Sequence, residues 1–199
     1  SVFTLADGLV QALLRRMLIP HVAGIVGEED EDELNIVEPP FRAGELTAPP
    51  EIEALVVDTR DQLDALSKRL AGGSYEHLTP FIDPIDGTKD FTQRTGEFTV
   101  NIAMIEDGEP VMGVVTAPAL KEAFWGIKGE GAHMRDRTGR VHRIRVAEPK
   151  DTLRVVASKN HLNEETRAFI EALGSHETVQ AGSSLKFCRI AEGHADIYP

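Results

Sequence analysis

Apolar side chains at helical spacing open the chain. Leu9, Ala12, Leu13 and Met17 share one face between Thr4 and Pro20, and this spacing predicts a helix over 4–19. Thr4 with Asp7 three positions on makes a near capping box at its start, and Pro20 closes the run. A short apolar stretch, Val22 to Val26, leads into an acidic run from Glu28 to Glu33. Residues 35–50 carry Pro39-Pro40, Gly44 and Pro49-Pro50, the pattern of an extended surface loop. A second amphipathic helix follows, with Ile52, Leu55, Val56, Leu63, Leu66 and Leu70 on one face and Gly72-Gly73 as its stop.

From residue 78 the pattern becomes strand-like. Phe81-Ile82 precede Asp83, and Phe98, Val100, Ile102 and Met104 alternate with smaller or polar neighbours. Asp107-Gly108 suits a tight turn into a partner strand, Val111 to Val115. Short strands are expected at Ala123 to Gly126, Ile144 to Val146 and Leu153 to Ala157, then a helix from an Asn163 cap to Leu173 with Gly174 as terminator. Ser183 or Ser184 caps a last helix, Leu185 to Glu192, and Ala195 to Tyr198 reads as a strand. Helices flanking central strands imply a layered αβ arrangement of the α+β class, with a break near Glu148-Pro149-Lys150.

The 199 residues bury a sizeable core at 41% hydrophobic content, so a fibrous or wholly disordered chain is excluded. A net charge of −12 argues against a nucleic-acid surface, and no apolar run is long enough to span a bilayer. The single Cys188 rules out an internal disulfide and fits a reducing, cytoplasmic setting; organelle targeting stays open. Cys188 is expected to pack in the last helix, Phe124 and Trp125 in the core, and all histidines at the surface, His133 and His142 within turns. An acidic protein can still serve an anionic substrate if cations bridge the two.

The strongest local signal is Asp83-Pro84-Ile85-Asp86-Gly87-Thr88. Two carboxylates at a strand end, in a turn restrained by proline and glycine, can converge on one hard cation, with the Ile85 carbonyl as a further oxygen ligand. Gly87 and Thr88 offer backbone N–H groups to a phosphate. The same residues would also make an ordinary Asx-rich turn. Glu28 abuts an apolar strand and can reach the same sheet end, whereas Asp30 to Glu33 read as a solvated loop. Thr4-x-x-Asp7 is either a helix cap or the orienter of an attacking water together with the Thr88 hydroxyl.

Taken together, T-x-x-D, G-E-E and D-P-I-D-G-T resemble the lithium-sensitive, Mg²⁺-dependent inositol monophosphatase superfamily. The stretches 87–91, 94–103 and 182–188, with Ala191-Glu192-Gly193 and Tyr198-Pro199, are similar to its CysQ-type 3′(2′),5′-bisphosphate nucleotidases of sulfur metabolism. The likeness covers nearly the whole chain outside 34–77, which looks like an insertion. It implies a layered αβαβα sugar-phosphatase fold in truncated form. Residues 1–147 would be the metal-binding catalytic domain, and 148–199 part of an α/β substrate domain.

The resemblance further implies that Glu28, Asp83, the Ile85 carbonyl and Asp86 bind two or three Mg²⁺ ions, with Asp83 bridging. Asp7 and Thr88 would activate the water, and the Gly87 and Thr88 amides would hold the scissile phosphate. Ser158, His161, Ser183 and Lys186 match positions that contact the nucleotide or its second phosphate. For the second group plain alternatives remain: His161 at a helix start, a serine as cap, Lys186 in solvent. The family pattern also includes a first helix ahead of Ser1 and a W-D-x-A-A-G segment past Pro199, so the chain is expected to be a piece of a longer polypeptide and to bind metal poorly alone. The expected activity is removal of the 3′-phosphate from adenosine 3′,5′-bisphosphate by in-line attack of an activated water. The alternatives are an inositol phosphate phosphatase on the same site and a non-catalytic metal- or nucleotide-binding module.

Overall fold

In the computed structural model, which describes residues 3–29, 34–148, 151–157 and 163–199, Thr4 caps helix α1 (Leu5–Leu18). Both arms of the capping box form: the Asp7 amide donates to the Thr4 hydroxyl, and the Thr4 amide donates to the Asp7 carboxylate. A short 3₁₀ turn at Ile19–His21 carries Pro20 and leads to strand β1 (Val26–Gly27).

The stretch expected as a loop is instead folded. Strands β2 (Leu34–Asn35), β3 (Arg42–Ala43) and β4 (Leu46–Thr47) form a small antiparallel sheet. Phe41 and Ala43 are fully buried there, and Phe41 packs with the apolar residues of α1 and of helix α2 (Pro50–Leu70). Pro39-Pro40 sit in the connection between β2 and β3 and Pro49-Pro50 just after β4, so the prolines punctuate this meander rather than holding it in solvent. On α2, Val56 and Ser67 are buried while Leu55 and Leu66 are exposed, so the contact stripe is rotated from the one expected. Ser67 is buried by its bond to His21, Nε2 to Oγ at 2.8 Å, which also takes that histidine off the open surface.

Seven strands make the main sheet, in the order β1-β5-β6-β7-β8-β9-β10. Its members after β1 are β5 (Leu78–Asp86), β6 (Thr99–Glu106), β7 (Glu109–Ala117), β8 (Glu122–Ile127), β9 (Gly131–Arg135) and β10 (Val141–Ile144). All neighbours are antiparallel except β1 and β5. Asp107 and Gly108 both take positive φ, 49° and 81°, which is the conformation a two-residue hairpin needs. His133 and His142 lie in β9 and β10 rather than in turns, because these two segments pair with each other in an antiparallel ladder, His142 opposite Met134 and Arg143 opposite His133. His133 stacks on Trp125 with ring centroids 5.8 Å apart, and Trp125 is only half-buried while Phe124 reaches the core. The expected strand at 144–146 ends at Ile144; Val146 is exposed.

Beyond the main sheet, β11 (Leu153–Ala157) pairs in parallel with β12 (His176–Gln180) across helix α4 (Glu164–Ala172). Strand β12 was not legible in the sequence, since His176-Glu177-Thr178-Val179-Gln180 presents one aliphatic residue in a polar run. The Asn163 cap forms as read, its side chain accepting from Thr166 N. Helix α5 (Leu185–Ala191) follows, and the expected strand at 195–198 reduces to one bridge, Val155 to Ile197. Ala117, Phe124, Met134 and Ile144 share one apolar core with Val156, Leu185 and Cys188, so residues from both sides of position 147 pack together. The layers run from the α1–α2 pair through the main sheet to α5 and the β11–β12 pair.

Candidate active site

Strand β1 sets Val26 opposite Phe81 and Gly27 opposite Ile82. The next amide, that of Glu28, donates to the Ile82 carbonyl at 3.1 Å, which carries Glu28 to the end of β5 beside Asp83. Gln11 of α1 holds this turn. Fully buried, it donates from Nε2 to the Glu29 carbonyl at 2.7 Å and accepts at Oε1 from the Glu29 amide at 3.0 Å. The close approach explains Gly27: a Cβ there would stand 2.5 Å from the Gln11 side chain.

Strand β5 reaches the site through a bulge. Asp83 pairs with Asn101 and Asp86 with Thr99, so three steps on β5 match two on β6. In a regular strand, residues three apart point to opposite faces. The extra residue brings Asp83 and Asp86 to one side. Asn101 Nδ2 contacts Asp83 Oδ2 at 3.4 Å, and the Ser184 hydroxyl donates to Asp86 Oδ2 at 2.6 Å. The following turn is tight. Gly87 has φ +84°, and a Cβ on it would lie 3.1 Å from that of Ser183. Short helix α3 (Thr88–Thr92) then begins, with the Thr88 hydroxyl donating to the Ile85 carbonyl at 3.1 Å.

Burial, reinforced by the neighbouring Asp86 and Glu28 carboxylates, pushes the Asp83 carboxyl from 3.8 up to about 7. Among the described residues its Oδ1 is buried with no hydrogen-bond partner. Among the described residues only carboxylates and the Asn101 amide act on it, and this donor chemistry fits a hard divalent cation. Among the described residues, no three His, Cys, Asp or Glu side chains are closed around a common point. The Glu28 carboxylate does reach Asp83, and the Asp86 charge is felt there too. A cleft of about 520 Å³ opens beside them, lined by Glu28, Asp83, Asn101 and Ser184 with Phe81 and Phe187.

Asp7 is 2% exposed, and its Oδ2 accepts from both the hydroxyl and the amide of Thr4, at 2.5 and 2.7 Å. The capping box forms in full and fixes the Asp7 carboxylate in place, a geometry compatible with either role; no hydrogen bond joins Asp7 directly to Thr88 among the described residues. At the opposite end of the chain, Ser183 takes φ +44°. Ser184 occupies the cap position of α5 without capping it, because its hydroxyl is engaged by Asp86. Lys186 is buried rather than solvated: Nζ donates to the Ser183 carbonyl at 2.7 Å and sits over the Tyr198 ring. Ser158 and His161 lie outside the described residues. Cys188 is buried in the core, where desolvation pushes its thiol up to about 12.

Four residues of this constellation escaped the sequence reading: Gln11, Thr99, Asn101 and Ser184. Gln11 carries no signal in the sequence beyond a polar residue in a helix, and Thr99 and Asn101 read as the polar half of an alternating strand. Ser184 stands in the sequence as a possible helix cap and within the 182–188 stretch of the resemblance, with no role of its own.

Comparison with known proteins gives a consistent picture. Residues 57–199 match the sequence profile of the inositol monophosphatase family. The chain is 48% identical over 118 residues to the 3′(2′),5′-bisphosphate nucleotidase CysQ of Salmonella typhimurium, and 44% identical over 118 residues to that of Escherichia coli K12. Each match covers 59% of this chain and 47% of the relative, so the chain spans about half the length of these curated relatives. The crystal structure of CysQ from Bacteroides thetaiotaomicron superposes with a TM-score of 0.58 at 26% identity, over 98% of this chain and 76% of that one.

Proposed function

The chain belongs to the inositol monophosphatase family and has its fold, and from that premise we propose that it acts as a 3′(2′),5′-bisphosphate nucleotidase on adenosine 3′,5′-bisphosphate, releasing AMP and phosphate. The observation that carries this reading is the joining of two sets of groups. The Glu28–Asp83–Asp86 carboxylates are tied through Ser184 to the helix that presents Lys186. One set suits a phosphate bridged by cations, the other a second phosphate.

In this reading Glu28, Asp83, the Ile85 carbonyl and Asp86 hold Mg²⁺. When bound, the cations offset the charge of the phosphate and raise the acidity of a water. The Thr88 hydroxyl spends its hydrogen on the Ile85 carbonyl, so its lone pairs face outward as acceptors for the attacking water. Asp7, anchored by Thr4, orients that water together with Thr88. The Gly87 and Thr88 amides orient the scissile phosphate. The water oxygen bonds to phosphorus as the bond to O3′ breaks, and the proton passes to the leaving 3′ oxygen. No covalent bond to the protein forms.

Residues 148–199 would then carry the nucleotide side of the site, with Ser183 and Lys186 joined by Ser158 and His161, and residues 1–147 the phosphate side. Among the described residues no helix is long and apolar enough to cross a membrane. A cytoplasmic setting is part of the proposal.

The test is phosphate release from a substrate panel, with and without Mg²⁺. Cation-dependent release from the bisphosphate, faster than from inositol monophosphate, is expected. Equal or faster release from inositol monophosphate would exclude the nucleotidase, and release from neither would exclude the enzyme.

A further inference from the structure

Resting on that reading, we infer that Ser184 is a positioning residue that makes the cation-facing carboxylates and the nucleotide-facing turn a single mechanical unit. A serine ahead of a helix ordinarily accepts a hydrogen bond from the first turn, as Asn163 does for α4. Ser184 forgoes that bond and gives its only hydrogen to Asp86 Oδ2 at 2.6 Å. Its oxygen in turn accepts from Asn101 Nδ2 at 3.1 Å, and the same amide reaches Asp83 Oδ2 at 3.4 Å. Asp83, Asn101, Ser184 and Asp86 thus form a continuous chain of contacts.

The neighbouring contacts extend the same seam. Thr99, fully buried, places its hydroxyl 3.3 Å from Ser183 Oγ and 3.4 Å from Asp86 Oδ2. Ser183, at φ +44°, lends its carbonyl to Lys186 Nζ. A rotation of the Asp86 carboxylate therefore pulls on the turn that carries Ser183 and Lys186, and a shift of that turn releases Asp86. Partners that orient a ligating carboxylate are worth roughly 10–100-fold in metal affinity or activity.

Three variants of the purified protein test this: Ser184→Ala, Ser184→Thr and Asn101→Ala. Each is measured by isothermal titration with Mg²⁺ in the absence of nucleotide, by KM for adenosine 3′,5′-bisphosphate, and by Tm. Ser184→Ala should weaken Mg²⁺ binding about tenfold or more and raise KM, with Ser184→Thr restoring both. Asn101→Ala should move both in the same direction. A Ser184→Ala protein with a lowered Tm but wild-type Mg²⁺ affinity and KM would reduce Ser184 to a structural cap and overturn the inference. If Ser184→Ala does not fold, Asn101→Ala decides by the same measurements. If the wild-type protein binds Mg²⁺ yet releases no phosphate, the nucleotidase reading fails while the titration still judges Ser184. A wild-type protein that binds no Mg²⁺ overturns both.

Discussion

Lys186 Nζ lies 5.4 Å from the centroid of the Tyr198 ring, held there by the Ser183 carbonyl. An ammonium buried between a carbonyl and an aromatic face has surrendered much of its water, so its charge acts strongly on an approaching anion. Lys186→Ala should raise KM for adenosine 3′,5′-bisphosphate about 10–100-fold, the range of a charge-assisted hydrogen bond, and affect a nucleoside monophosphate less. Steady-state kinetics on both substrates provide the check. Equal effects would remove Lys186 from recognition of the second phosphate.

The raised Asp83 carboxyl gives the cation-free protein a defined pH dependence. Below about pH 4 the group is protonated whether the chain is folded or not, and it costs nothing. Between 3.8 and about 7 the folded state keeps a proton that the unfolded state has released, so stability falls as pH rises through this window. Asp83→Asn should therefore melt higher than wild type at pH 8 without divalent cation, by a few degrees, and show no such gain at pH 4. Added Mg²⁺ should raise the wild-type Tm at pH 8 but not that of the variant, and the variant should lose Mg²⁺-dependent phosphate release. Thermal melts at the two pH values, with EDTA or Mg²⁺, decide the matter.

Phe41 is fully buried between the small sheet and the α1–α2 pair. Phe41→Ala removes a ring from a packed core and should cost about 3–5 kcal/mol. Urea unfolding would show it as a lower midpoint. A loss below about 0.5 kcal/mol, the scale of a surface change, would return this segment to the status of a loop.

Cys188 combines burial with a thiol pushed up to about 12, so almost none of it is thiolate near neutrality. The native protein should react with a thiol reagent at pH 8 far more slowly than the urea-unfolded chain. Comparable rates would place Cys188 at an accessible surface.

The elements with strong periodicity were legible without coordinates. Leu9, Ala12 and Leu13 marked α1, Asp107-Gly108 marked the hairpin, and Leu153 to Ala157 marked β11 to the residue. What failed did so for identifiable reasons. Phe41 and Ala43 sit among prolines and glycine in two-residue strands too short to show a period. Strand β12 is held by pairing to Leu153–Ala157 rather than by its own composition. In the site, Asp83 and Asp86 were conspicuous because two carboxylates three residues apart, at a strand end restrained by proline and glycine, can converge on one cation. Asn101 and Ser184 were not, since an amide in a strand and a serine before a helix have ordinary explanations that only a three-dimensional neighbour displaces.

The bond between Ser184 and Asp86 spans 98 positions. Closing so long a stretch is entropically expensive compared with zipping the adjacent hairpins β6 to β10, which need only short turns. The order of assembly follows: the sheet can form first, leaving its acidic rim open, and the rim is completed only when residues 183–186 arrive. Proteolytic nicking between β10 and α5 would thus leave a sheet that still folds but a reaction centre that never closes.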